Sequence, residues 1–125
     1  MIIGIGVDIV EVARIQKMID EYGDSALVKV FTDVEIEYCN GFGKRKYEHF
    51  AARFAIKEAF SKAIGTGLTN SFSFRDVGVI NQASGKPELV LDGEMKKRWE
   101  NFLIHISIAH TQKDAIAYVI IENKN

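Results

Sequence analysis

The stretch Tyr47–Gly67, YEHFAARFAIKEAFSKAIGTG, limits the possible folds of this chain more than any other. It predicts one long helix ending at Gly65, where a glycine can take the left-handed conformation that closes a helix. At about 3.6 residues per turn, Ala52, Ala55, Ile56, Ala59, Phe60 and Ala63 share one side and form a core-facing stripe. Arg53, Lys57, Glu58, Ser61 and Lys62 fall on the other side. Glu58 and Lys62 stand one turn apart at the apolar edge beside Ala51 and Ala55, so partial shielding is expected. The small residues around them leave room for a backbone or a ligand.

The remaining elements follow from periodicity. Ile2–Val10 predicts a strand with Ile3, Ile5, Val7 and Ile9 on one face and Gly4, Gly6 and Asp8 on the other. Val12–Tyr22 predicts a helix with Val12, Ile15, Ile19 and Tyr22 inward, and Arg14, Lys17, Met18 and Glu21 away from that stripe. Gly23-Asp24 ends it. Thr32-Asp33-Val34-Glu35 is a capping box that opens a helix to about Cys39. Beyond Gly67 the pattern turns to strands: Phe72–Phe74 and Val77–Ile80, a turn at Gln82–Gly85, and a return over Pro87–Leu91. Gly93–Phe102 reads as a helix with Met95, Trp99 and Phe102 inward. Ile104–Ile108 and Ala115–Ile121 alternate as strands joined across Ala109–Asp114, with His105 and Ser107 opposite the isoleucines. The tail Asn123–Asn125 reads as polar and loose. These elements define an α+β chain with a mostly antiparallel sheet.

At 125 residues the chain suits one domain, spanning 1–125. Its 47% apolar and 26% charged residues describe a folded globular protein. A net charge of −1 argues against a general nucleic-acid binder. The charge is uneven, however. Between Gly41 and Lys62, Lys44, Arg45, Lys46, Arg53, Lys57 and Lys62 face only Glu48 and Glu58, a local excess of +4 that suits a small anion such as a phosphate ester. The single Cys39 excludes an intrachain disulfide and fits a reducing compartment. No apolar run is long enough to span a bilayer, and MIIGIGVDIV lacks a cationic lead-in and meets an acid at Asp8, unlike a signal peptide. A cytoplasmic protein is expected.

Asp8 and Glu58 are carboxylates on different elements, each beside small residues. Such a pair suits Mg²⁺, which keeps waters and binds phosphate oxygens. Asp8 is equally well read as a cap for the next helix, and Glu58–Lys62 as a helix ion pair. His105 reads either as a functional group or as a hydrogen-bonded strand histidine. No Walker loop, dinucleotide fingerprint or nucleophile elbow occurs.

Three blocks carry a resemblance: GIGVDIVEVARI, RFAIKEAFSKAIGTG with its K-E-A-x-x-K core, and GKPEL followed by HISIAHT. In that order they resemble the holo-(acyl-carrier-protein) synthases, the short 4′-phosphopantetheinyl transferases, over essentially the whole chain. The resemblance implies transfer of the phosphopantetheine arm of coenzyme A to a serine of apo acyl carrier protein. Adenosine 3′,5′-bisphosphate is then released, in a step serving fatty acid biosynthesis. It places the Mg²⁺ carboxylates on Asp8 and Glu58, the family's lysine on Lys62 and its sheet histidine on His105. The serine needs a base: a metal-bound water, or Glu58 acting through one, is the candidate, with His105 as the alternative or a phosphate contact. Arg45, Arg53, Ser61, Lys62 and Gly65 become contacts for coenzyme A, and Arg14, Lys17 and Met18 for the carrier. A homotrimer with sites between subunits is implied too. One departure stands out: Glu11–Asp24 carries Arg14 and Lys17 against Glu11, Asp20, Glu21 and Asp24, a balance of −2 where an acidic partner favours the reverse. The other readings compatible with the residues are a Mg²⁺-dependent phosphohydrolase and a non-catalytic nucleotide- or RNA-binding module.

Overall fold

A computed structural model describes residues 1–67 and 72–124. Strand β1 (Ile2–Glu11) leads into α1 (Val12–Val30), α2 (Asp33–Asn40), a 3-10 turn at Gly43–Arg45 and the central helix α3 (Lys46–Ala63). A second 3-10 turn (Phe74–Asp76) precedes β2 (Val77–Asn81), β3 (Pro87–Leu91), α4 (Gly93–Trp99), β4 (Phe102–His110) and β5 (Asp114–Asn123). The α+β class expected from the sequence holds.

The main sheet is antiparallel with order β1-β5-β4, and β2-β3 forms a separate hairpin. Helix α3 lies across the three-stranded sheet. Ala115, Ala117, Val119 and Ile121 of β5 and Val10 of β1 are buried with α3's Ala52, Ala55, Ile56, Ala59 and Phe60 in one core. The other flanks of α3 are covered by α1, α2 and β2, so the helix is enclosed nearly all round. This overturns the two-sided reading of its wheel. Arg53, Lys57 and Ser61, placed on a polar face by the sequence, are buried at 1%, 0% and 1% exposure. Their burial is possible because polar groups from other elements meet them, as buried charges require.

Other differences have equally local causes. In β1 the inward residues are Gly6, Asp8 and Val10, while Ile3, Ile5, Val7 and Ile9 are exposed. Gly23 (φ 56°) breaks α1 as expected, but the chain resumes a helical course to Val30 and buries Leu27. Tyr22 ends up exposed, and Met18 is partly buried against the core. The capping box at Thr32 forms, with Glu35 N donating to Thr32 Oγ1 at 3.2 Å and Thr32 N to Glu35 Oε1 at 2.9 Å. Phe74 belongs to a 3-10 turn, so the strand starts at Val77. Helix α4 stops at Trp99, and Phe102 is the first residue of β4. Asn123 is tied down, its N–H donating to the Met1 carbonyl at 3.0 Å, while Asn125 lies outside the described residues.

Candidate metal and phosphate site

The site begins with two glycines. A Cβ on Gly6 would overlap the Ala59 carbonyl oxygen, and one on Gly4 the Ala63 carbonyl oxygen. Their absence lets the α3 backbone rest directly on β1. Asp8, two residues on and on the same strand face, therefore points at the last turns of α3. It meets Glu58 and Lys62 there.

Lys62 Nζ donates to Asp8 Oδ1 at 2.8 Å and to the Val7 carbonyl at 3.1 Å. The lysine thus crosses from α3 to β1 for its partner, and the hydrogen bond to Asp8 raises its pKa. Asp8 is 9% exposed, and its other oxygen, Oδ2, is buried without a hydrogen-bond partner. Glu58 is half-buried beside it. Burial first, and then the negative charge of Asp8, push the Glu58 pKa up to about 7. Arg14 and Lys62 pull in the opposite direction. Two carboxylates that resist sharing a space, one with an unpartnered oxygen, form a site short of positive charge. A hard divalent cation fits this donor set, since Mg²⁺ is commonly held by one or two carboxylates with waters and phosphate oxygens completing the shell. Among the described residues no third Asp, Glu, His or Cys joins the pair to complete a metal-binding group.

The remaining candidates are spread along α3. Ser61 is buried, and its Oγ donates to the Glu58 carbonyl at 2.6 Å, which fixes the hydroxyl beside the site. Gly65 closes the helix at φ 84° and is exposed. Arg53 donates to Asn81 Oδ1 at 2.6 Å and to the His49 carbonyl at 3.3 Å, and its guanidinium lies 4.5 Å from the Tyr38 ring centroid. Its Nε has no partner. Arg45 stands exposed before the first turn, 3.4 Å from Glu48. At 1.5 Å per residue, Arg45 and Lys62 are about 25 Å apart along the helix, so one ligand touching both must be long and lie along α3.

His105 is not brought to this cluster within one chain. It lies on the sheet face turned away from α3, 56% exposed, with Nε2 2.8 Å from Glu122 Oε1. His110, on the opposite, inward face of the same strand, instead lies 3.1 Å from Glu48 Oε1. Arg14 and Lys17 are exposed on α1. The proximity of Arg14 to Glu58 could not be read from the sequence, because it depends on how α1 crosses α3.

Comparison with known proteins identifies the family. The family model of the 4′-phosphopantetheinyl transferase superfamily matches residues 4–119. A holo-[acyl-carrier-protein] synthase of Geotalea daltonii is 42% identical over 98% of this chain and 99% of that protein. One of Halothermothrix orenii is 45% identical over 96% and 97%. A crystal structure of the Bacillus anthracis holo-(acyl-carrier-protein) synthase, in complex with CoA (3′,5′-ADP), superposes with a TM-score of 0.84 at 39% identity, covering 99% of both chains. The Helicobacter pylori synthase in complex with coenzyme A gives 0.82 at 32% identity, covering 94% of this chain and 99% of that one. The chain belongs to the 4′-phosphopantetheinyl transferase superfamily and, within it, to the holo-(acyl-carrier-protein) synthases. It is an enzyme of that kind. No helix among the described residues is long and apolar enough to cross a membrane.

Proposed function

We propose that this enzyme, acting as one domain over residues 1–125, transfers the 4′-phosphopantetheine arm of coenzyme A to a serine of apo acyl carrier protein. The reaction depends on Mg²⁺ and releases adenosine 3′,5′-bisphosphate. The observation that carries this reading is the buried, unpartnered Asp8 Oδ2 beside Glu58, with Lys62 on the other Asp8 oxygen. The coenzyme A complexes of the Bacillus anthracis and Helicobacter pylori relatives support the donor.

Asp8 and Glu58 would hold the ion. An ion held there would offset the negative charge of the donor's pyrophosphate and of the leaving bisphosphate. The serine Oγ forms a bond to the phosphorus carrying the pantetheine arm, and the bond from that phosphorus to the bisphosphate oxygen breaks. Lys62, an ammonium on a flexible stem, neutralises a phosphate oxygen as this occurs. The serine proton passes to the Glu58 carboxylate, directly or through a water, because a hydroxyl needs a base to act as nucleophile. Arg45 and Gly65, exposed at the two ends of α3, are the contacts this reading gives a donor stretched along the helix, with Ser61 bonded to the Glu58 carbonyl between them; Arg53, buried against β2, would contact it only if that flank opened.

The sheet face opposite α3 supports a homotrimer. Ile3, Ile5, Val7, Ile9, Leu103 and Tyr118 are between 41% and 66% exposed there, a contiguous apolar surface that further copies of the chain would cover. His105 shares that face and would reach a neighbour's donor site rather than its own. Arg14 and Lys17 are the exposed α1 cations for the carrier; Met18, partly buried, offers it less. The buried free Cys39 is in keeping with the cytoplasm.

The deciding experiment incubates the enzyme with coenzyme A and an apo carrier, with and without a chelator, and weighs the carrier. A carrier heavier by one phosphopantetheine only when Mg²⁺ is present is expected. Bisphosphate produced with no arm on the carrier would instead identify a hydrolase.

A further inference from the structure

The first lysine of the K-E-A-x-x-K block does not face the site. Lys57 is completely buried on the opposite flank of α3, where Nζ donates to Glu35 Oε1 at 2.8 Å, to the Phe74 carbonyl at 2.9 Å and to the Val77 carbonyl. Glu35 is itself fully buried and receives, besides Lys57, the N–H of Thr32 at 2.9 Å and of Val79 at 3.0 Å. One ammonium group thus ties α3 to the start of α2, to the 3-10 turn and to β2. One turn earlier on the same flank, Arg53 reaches Asn81 at the end of β2.

Of the polar contacts α3 makes with other elements, this one is the most deeply buried and has the most partners. Toward β1 the helix presents Ala59 and Ala63 to Gly4 and Gly6, a close backbone contact, and its directional bonds there come from Lys62, a half-exposed side chain on a flexible stem. Hydrogen bonds are directional, and a buried ammonium that loses an acceptor is penalised heavily. Glu58 is the next residue after Lys57, about 100° round the helix. Any rotation that moved Lys57 off its three acceptors would swing Glu58 and Lys62 by the same angle relative to Asp8.

We propose that Lys57 is a positioning residue: its three-way anchor to Glu35, Phe74 and Val77 sets the rotation of α3 and thereby presents Glu58 and Lys62 to Asp8. This role rests on Asp8 and Glu58 being the metal pair, and the test separates the two. Mg²⁺ affinity is measured by titration calorimetry on four proteins, well below each melting temperature: Lys57→Met, Glu35→Gln, Asp8→Ala and Met95→Ala. The last, a buried position on α4, reports destabilisation alone.

Lys57→Met is expected to bind Mg²⁺ about 10-fold more weakly, with a fall in kcat larger than any rise in KM for coenzyme A. Met95→Ala is expected to melt earlier with unchanged Mg²⁺ affinity. If Lys57→Met does not fold, Glu35→Gln, which keeps the shape of the anchor but weakens its charge, carries the test with a several-fold loss. Mg²⁺ affinity in Lys57→Met, or in Glu35→Gln in its place, equal to that of wild type while Asp8→Ala loses it would overturn the positioning role and leave the metal pair standing. Unchanged affinity in Asp8→Ala would remove the metal pair and the positioning role with it.

Discussion

Lys62 Nζ sits 2.8 Å from Asp8 Oδ1, joining the last turn of α3 to a strand that precedes it by 54 positions. The neighbour at helical spacing, Glu58, is thereby left without the lysine as its direct partner. Its carboxylate remains available to a cation, and the lysine's charge is held at the edge of the site where a phosphate would arrive.

The three residues should consequently fail separately. Asp8→Ala, Glu58→Ala and Lys62→Ala are each expected to lower transfer by about 100-fold or more, the scale seen when a charge-stabilising group is lost from an active site. The Lys62–Asp8 pair is half exposed at the lysine but buried at Asp8, so Lys62→Ala, which leaves that carboxylate unpaired, is expected to lose more stability than Asp8→Ala while remaining folded. Circular dichroism should show folded proteins. A Glu58→Ala enzyme within a few-fold of wild type would end the metal assignment.

Glu58 makes the metal-free protein sensitive to pH. Its pKa in the fold, about 7, lies above the ordinary 4.5, so between these values the folded state holds a proton that the unfolded chain has released. Its contribution therefore makes the metal-free protein most stable at the acid end of that window and less so as pH rises through it. The difference in melting temperature between wild type and Glu58→Gln should widen from pH 5 to pH 8, with wild type the less stable at the alkaline end. Added Mg²⁺ should reverse the order near neutrality and release a proton, visible as a buffer-dependent binding enthalpy.

Gly6→Ala tests the contact that brings the carboxylates together. The new methyl group would occupy the space of the Ala59 carbonyl oxygen, and neither backbone can yield without separating β1 from α3. A loss of about 3 kcal/mol in urea unfolding is expected, with Mg²⁺ binding weakened in whatever remains folded. Gly85→Ala, at an open turn position with φ 91°, should cost less stability and leave Mg²⁺ binding unchanged.

Assembly has a direct readout. Sedimentation equilibrium should return three times the chain mass for wild type. Ile5→Asp, in the middle of the exposed apolar face, should give monomers with at least a 10-fold loss of transfer. An active wild-type monomer would contradict a site shared between subunits.

Much of this arrangement can be read from the chain. The hairpin of β2 and β3 and the Thr32 capping box follow from local rules, because turn and cap chemistry act over a few residues. Gly4, Gly6 and Asp8 sharing a strand face also follows, from the two-residue period. Long-range pairing does not. Nothing near Lys57 in the sequence announces that Glu35 and two carbonyls will enclose it, so a helical wheel places it outside with other charges. The same limit applies to β1, where a row of Ile3, Ile5, Val7 and Ile9 looks like a core face. The inward side is the one with glycines, because a helix needed to come close. Lys62 choosing Asp8 over Glu58 likewise depends on a strand that sequence spacing cannot position.

The Gly6–Ala59 approach has one further consequence. The distance between the strand and the helix that carry the two carboxylates is gauged by main chain against main chain, with no side-chain volume in between. Exchanging one large core residue for another elsewhere in the molecule can loosen or tighten packing without resetting that gap. The β1–α3 distance is thus insulated from drift in most of the surrounding sequence, and its sensitivity is concentrated in a few positions that have almost no side chain to lose.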